Sequence, residues 1–114
     1  MLGLLNTTDK LTFVRREYGE PLYRTVGDDV EGYIEIVRPG GLPRPYVMIV
    51  NEEGLLYRLP WNVVGCNLYG DGIAGNIVIM REGINEDGEP DILGLTDEDV
   101  HKLAEIGLFT EEDD

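Results

Sequence analysis

The sequence predicts an α+β fold: a single small domain built on an antiparallel sheet of about four or five strands, with a C-terminal helix and one short N-terminal helix. Three observations predict it. Short β-branched runs (Ile34 to Val37, Tyr46 to Val50, Ile77 to Met80) are separated by segments rich in glycine and proline. Two asparagine-led turns of one type, Asn51-Glu52-Glu53-Gly54 and Asn85-Glu86-Asp87-Gly88, punctuate them. The stretch from Thr96 to Gly107 carries both caps of an amphipathic helix. At 114 residues, 42% of them hydrophobic, one core can form without staples.

Met1 to Leu5 is apolar but far too short for a signal-peptide core, and Asn6 to Lys10 is a polar lead-in. Leu11 to Glu17 alternates and reads as an amphipathic strand. Glu20-Pro21 opens a short helix, with Leu22, Val26 and Val30 on one stripe. Gly27 weakens that helix and Gly32 ends it. Tyr33 to Arg38 alternates cleanly as a strand. Three prolines make residues 39–45 a loop. Tyr46 to Asn62 reads as the central β-hairpin: an unbroken apolar strand, the Asn51–Gly54 turn, and a return over Leu55 to Leu59 stopped by Pro60. Val63 to Tyr69 is a short helical turn or irregular. Asn76 to Arg81 is a buried-type strand, and a second hairpin turn at Asn85–Gly88 returns through Asp91 to Leu93. In the final helix Thr96 is the N-cap, and Asp97, Glu98 and Asp99 lie in the positive first turn. Leu95 and Val100 form a hydrophobic staple, Leu103 and Ala104 continue the buried stripe, and Gly107 is the stop, with Leu108 placed to contact Leu103. Residues 110–114 read as a frayed acidic tail.

Charge is the strongest compositional signal. The net is −14, and it is lopsided. Residues 1–81 hold ten acids and eight bases, whereas residues 82–114 hold thirteen acids and one base, Lys102. Such a segment repels nucleic acid and anionic membrane and attracts a basic protein surface. The plainer reading is a solvated end that keeps the chain soluble. No run approaches the ~20 apolar residues of a membrane span. One cysteine, Cys66, excludes an internal disulfide framework and suggests a reducing compartment, hence the cytoplasm.

No catalytic constellation is legible. The chain has no serine, and its one histidine, His101, falls on the outer face of the last helix. No Cys/His cluster has zinc spacing, and no metal or other cofactor is expected. Gly70-Asp71-Gly72-Ile73-Ala74-Gly75 matches G-x-G-x-x-G, but a strand pattern follows it where a dinucleotide site needs a helix. Asn85 to Asp91 resembles part of a calcium loop, yet Gly83 and Gly94 fall at its first and last ligand positions. Aromatic residues Tyr33, Tyr46, Tyr57, Trp61 and Tyr69 surround the expected sheet, as core or as a binding face.

Val-Glu-Gly-Tyr-Ile-Glu-Ile-Val (Val30 to Val37), Val-Asn-Glu-Glu-Gly-Leu (Val50 to Leu55), Pro60-Trp61-Asn62 and Gly-Asn-Ile-Val-Ile (Gly75 to Ile79) follow one another in an order that resembles a family of small domains. That family carries the label domain of unknown function 3846. The resemblance covers roughly residues 20 to 105 and implies an accessory protein of a phage or mobile element, with a cytosolic α+β fold. It implies no catalytic residues. Two functions then compete. The first is a non-enzymatic protein that binds and inhibits a host nucleic-acid-handling or defence protein. It would do so through acids on the C-terminal segment: Glu86, Asp87, Glu89, Asp91, Asp97 and Glu98. The second is a small-molecule (nucleotide-like) binding or sequestering module, able to form a homo-oligomer. Its site would comprise Asn51, Arg58, Trp61, Asn62, Gly70 and Gly72.

Overall fold

The computed structural model describes residues 1–105 and 107. In chain order the elements are β1 (Leu2–Asn6), β2 (Val14–Glu17), α1 (Leu22–Val30), β3 (Ile34–Val37), β4 (Tyr46–Asn51), α2 (Val63–Tyr69), β5 (Ile77–Ile84), β6 (Pro90–Leu93) and α3 (Asp97–Glu105). The six strands form one antiparallel sheet in the order β2-β1-β5-β4-β3, with β6 also paired to β5.

β5 is the organising strand. Its alternation decides the layers: Ile77 and Ile79 face one side, Val78 and Met80 the other. On the first side lie α2 and α3, whose Leu68, Val100 and Leu103 pack against Leu4, Phe13, Met48 and Ile79. On the second lies α1, whose Val26 and Val30 pack against Tyr18, Ile49 and Val78. A sheet covered on both faces explains why β4 is buried at all six positions. Inside α1, Gly27 sits where a side chain would be tight. A Cβ there would sit 3.0 Å from the Gly32 carbonyl, where the chain folds back after the helix.

The expected central hairpin does not form. β4 pairs with β3 on one edge and with β5 on the other, so no edge is left for a returning strand. Leu55 to Leu59 instead coil into tight turns, with the Tyr57 N–H donating to the Glu53 carbonyl and the Leu59 N–H to that of Gly54. The apolar N-terminus, which the sequence assigned to no element, is the interior strand β1. Its Leu4 and Leu5 are buried, and it pairs with β2 and β5. The strand expected from Leu11 shortens to β2, with Leu11 exposed and Phe13 in the core. Val63–Tyr69 is a full helix, because Asn62 caps it by accepting from the Gly65 N–H at 2.7 Å.

Most of the rest agrees with the sequence reading, except that Ala104, expected in the buried stripe of the last helix, is exposed. α1, β3, β5 and the β5–β6 hairpin stand where expected. α3 starts at a reciprocal capping box: the Asp99 N–H donates to Thr96 Oγ1 and the Thr96 N–H to Asp99 Oδ2. Leu95 and Val100, the staple, are both buried. Gly107 has φ 75°, as a helix stop needs. The expected Leu108 contact and the tail from residue 110 lie outside the described residues.

Candidate functional site

The acidic hairpin is built by register. β4 begins at Tyr46, opposite Arg81, and the Glu82 N–H donates to the Pro45 carbonyl. Beyond that point Gly83 and Ile84 pair only with Asp91 and Pro90, so the tip of β5–β6 overhangs the sheet. Asn85 closes it. Its Oδ1 accepts the N–H groups of Asp87 (2.9 Å) and Glu89 (3.0 Å), and its Nδ2 donates to Asp91 Oδ2. Glu86, Asp87, Glu89 and Asp91 are all exposed, and among the described residues none makes an ion pair.

The other acids of the segment behave differently. Glu82 is paired with Arg38 at 2.6 Å and Asp97 with Arg15 at 3.0 Å. Asp99 lies 3.6 Å from Arg81 and accepts the Tyr46 hydroxyl at 2.8 Å. Burial alone would raise the Asp99 carboxyl. The Thr96 N–H, the Tyr46 and Thr96 hydroxyls and Arg81 outweigh it and hold it below the usual carboxylate value. Tyr46, conversely, is pushed up to about 12, by burial first and by Asp99 second. Glu98 is exposed. The six sequence-predicted partner-binding residues therefore do not converge. Asp97 and Glu98 follow the far end of β6 from the tip, roughly 13 Å along the strand. Asp97 has its charge partly offset, whereas the hairpin four do not.

The residues of the alternative site are not gathered around one cavity, and its asparagines are buried. Asn62 is fully buried. Its Oδ1 caps α2, and its Nδ2 donates to Asn6 Oδ1 (2.8 Å) and the Gly75 carbonyl (3.1 Å). Asn6, equally buried, donates onward to the carbonyls of Lys10 and Thr12. Asn51 is buried, donates to the Val30 carbonyl at 3.0 Å and accepts from the Glu53 N–H at 2.7 Å. These are pegs that pin chain segments together, each amide already engaged by the fold. Gly70, at φ 82°, ends α2. Gly72 lies under the Trp61 ring, which a Cβ there would meet at 2.7 Å. Trp61 and Arg58 remain at the surface, Trp61 bridged to Ala74. The hollow beside them, lined by Leu55, Tyr69 and Gly72, is about 170 Å³, below the ~300 Å³ at which ligand pockets begin.

A larger cleft, of about 630 Å³, was not legible as a unit. Tyr23, Arg24 and Asp28 of α1, Glu31 and Tyr33 of the following turn, and Glu53 and Tyr57 line it. Of the aromatics read from the sequence, Tyr33 and Tyr57 meet here, Tyr46 is in the core, and Tyr23 was missed. The available signal was Tyr23 flanking the Leu22, Val26, Val30 stripe of α1 and Arg24 on the face opposite it. His101 is exposed on α3, as expected, and Cys66 is half-buried with its Sγ accepting the Ile73 N–H. Among the described residues no helix is long and apolar enough to cross a membrane.

Comparison with family models matches residues 1–107 to the family described as Domain of unknown function (DUF3846). The chain belongs to this family. The match includes β1 and β2, which lie before the stretch over which the sequence resemblance was legible. Comparison with curated proteins and with solved structures gives no match. The fold of this member of the family is a six-stranded antiparallel sheet with helices on both faces.

Proposed function

We propose that the protein is a non-enzymatic binding protein that engages a basic surface of a partner protein through its β5–β6 hairpin. One observation carries the reading. Glu86, Asp87, Glu89 and Asp91 stand exposed and without ion pairs on a turn that overhangs the sheet, while Glu82, Asp97 and Asp99 are matched by arginines. Charge left unmatched on a fixed turn acts on a partner rather than within the fold. The same carboxylates repel phosphate, so the partner is a protein and neither nucleic acid nor an anionic membrane. The mobile-element setting implied by the family resemblance supplies a partner class: a host nucleic-acid-handling or defence protein whose basic face the hairpin would occupy and so inhibit, in the host cytoplasm.

The test is capture of partners from a host lysate by wild-type protein and by a variant carrying Glu86→Lys, Asp87→Lys, Glu89→Lys and Asp91→Lys. Wild-type capture should weaken steeply with added salt, and the variant should lose it. A partner held equally by both proteins, or retained at high salt, excludes the reading.

A further inference from the structure

We infer that the cleft between α1 and the 53–57 segment receives the cationic side chain, an arginine or lysine, of a partner protein. This rests on the reading of the chain as a binder of a basic protein and names a second point of contact. Three tyrosine rings line the cleft, and each keeps about two-thirds or more of its surface in water: Tyr23 65%, Tyr33 75%, Tyr57 66%. Three carboxylates, Asp28, Glu31 and Glu53, line it with one base, Arg24. Aromatic faces with surplus negative charge favour organic cations, and a guanidinium best of all. A phosphate would meet three carboxylates against one arginine.

Tyr57 stands beside Glu53, and both line the cleft. Glu53, first, and Tyr33 raise its phenol above the ordinary value. The floor is polar but closed, since the Asn51 amide there is already engaged with Val30 and Glu53. A cation held in the cleft therefore finds rings and carboxylates rather than unpaired amides.

The occupant is a side chain on a partner surface rather than a free small cation. The rings are too exposed to desolvate a free ion, and a surface closing over them supplies what the cleft lacks. Position agrees. Leu22, at the start of α1, borders a hollow with Glu86, Asp87 and Asp91, while Tyr23 to Glu31 border the cleft. α1 is nine residues, roughly 13 Å, so one partner face laid along it reaches both hairpin and cleft.

The experiment follows tyrosine side-chain resonances by NMR in the full chain. The probes are a short arginine–glycine peptide, the same peptide with citrulline for arginine, and free spermidine. The arginine peptide should shift Tyr23, Tyr33 and Tyr57, and the citrulline peptide should not. Tyr57→Leu should weaken binding by roughly threefold to thirtyfold, whereas Tyr57→Phe, which keeps the ring, should stay within about threefold of wild type. The shifts should persist in the four-lysine hairpin variant, so failure of the hairpin reading and failure of this one can be told apart. Equal binding of the citrulline peptide overturns the inference. So do wild-type affinity in Tyr57→Leu, loss of the cleft shifts in the hairpin variant, and tyrosine shifts from spermidine without any from the arginine peptide.

Discussion

Two turns of nearly the same composition do opposite things in this protein. In Asn51-Glu52-Glu53-Gly54 the asparagine is buried and tied to the end of α1, and the chain beyond it coils instead of pairing. In Asn85-Glu86-Asp87-Gly88 the asparagine only closes its own loop, and the chain returns as β6. Locally they match: each side-chain oxygen accepts the N–H two residues on, at 2.7 Å and 2.9 Å. The sheet separates them. β4 has no free edge, whereas β5 has one past the reach of β1, which pairs only with Ile77 to Ile79. A turn motif proposes a reversal; an open edge decides whether a hairpin results. The same difference sorts structure from function, since the first region is anchored inward and the second presents its charges outward.

The largest expected effect lies in the anchored region. Asn62→Ala removes the α2 cap and leaves the Gly75 carbonyl and Asn6 without a buried partner. It should lower the unfolding free energy by about 3 kcal/mol in urea titrations. A loss under ~1 kcal/mol would remove the distinction between the two regions. Asn51→Ala against Asn85→Ala sharpens it directly. The first should cost about 2 kcal/mol and the second under ~1 kcal/mol, because only Asn51 leaves buried groups unpaired.

The acids of the C-terminal segment divide in the same way, and pH reads the division. Tyr46 binds its proton more tightly folded than unfolded, so its contribution is complete below pH 10.0 and is lost as pH rises toward about 12. Asp99 has the opposite sign. Its contribution is present above 3.8 and is lost as pH falls below that value. Tyr46→Phe should flatten the alkaline limb of a stability–pH profile. Asp99→Asn should flatten part of the acid limb and cost about 1 kcal/mol near neutrality, through the capping box. The smallest expected effect belongs to the hairpin. Its four-lysine variant should unfold within ~0.5 kcal/mol of wild type, since those side chains touch no ion-pair partner among the described residues.

What was legible in the sequence follows from what is local. The α3 caps, the β3 alternation, the Asn85 turn and the β5 apolar run are each fixed within about ten residues, and each stands in the structure. What was missed depends on distant partners. Leu2 to Leu5 is only a short apolar run, and Asn6 the start of a polar lead-in, until Val14–Glu17 and Ile77–Ile79 flank them as strands. Leu55 to Leu59 looks like a strand until β3 takes the edge it needs. For the site, the hairpin carboxylates could be read from charge alone. The pairing of Asp97 with Arg15 joins residues 82 positions apart, and the tyrosine cleft joins α1 to a turn beyond β4. Asn51 and Asn62, exposed-looking beside a glycine turn and a proline, proved to be buried pegs.

The most direct measurement compares two charge-matched variants in one capture experiment, at low salt and at about 1 M salt. One carries lysines at Glu86, Asp87, Glu89 and Asp91; the other carries them at Glu35, Glu52, Asp71 and Glu105, which are also exposed. The expected result is that a partner held by wild-type protein at low salt is held by the second variant and lost by the first. Equal retention by both variants, or equal loss from both, would contradict a binding role for the β5–β6 hairpin.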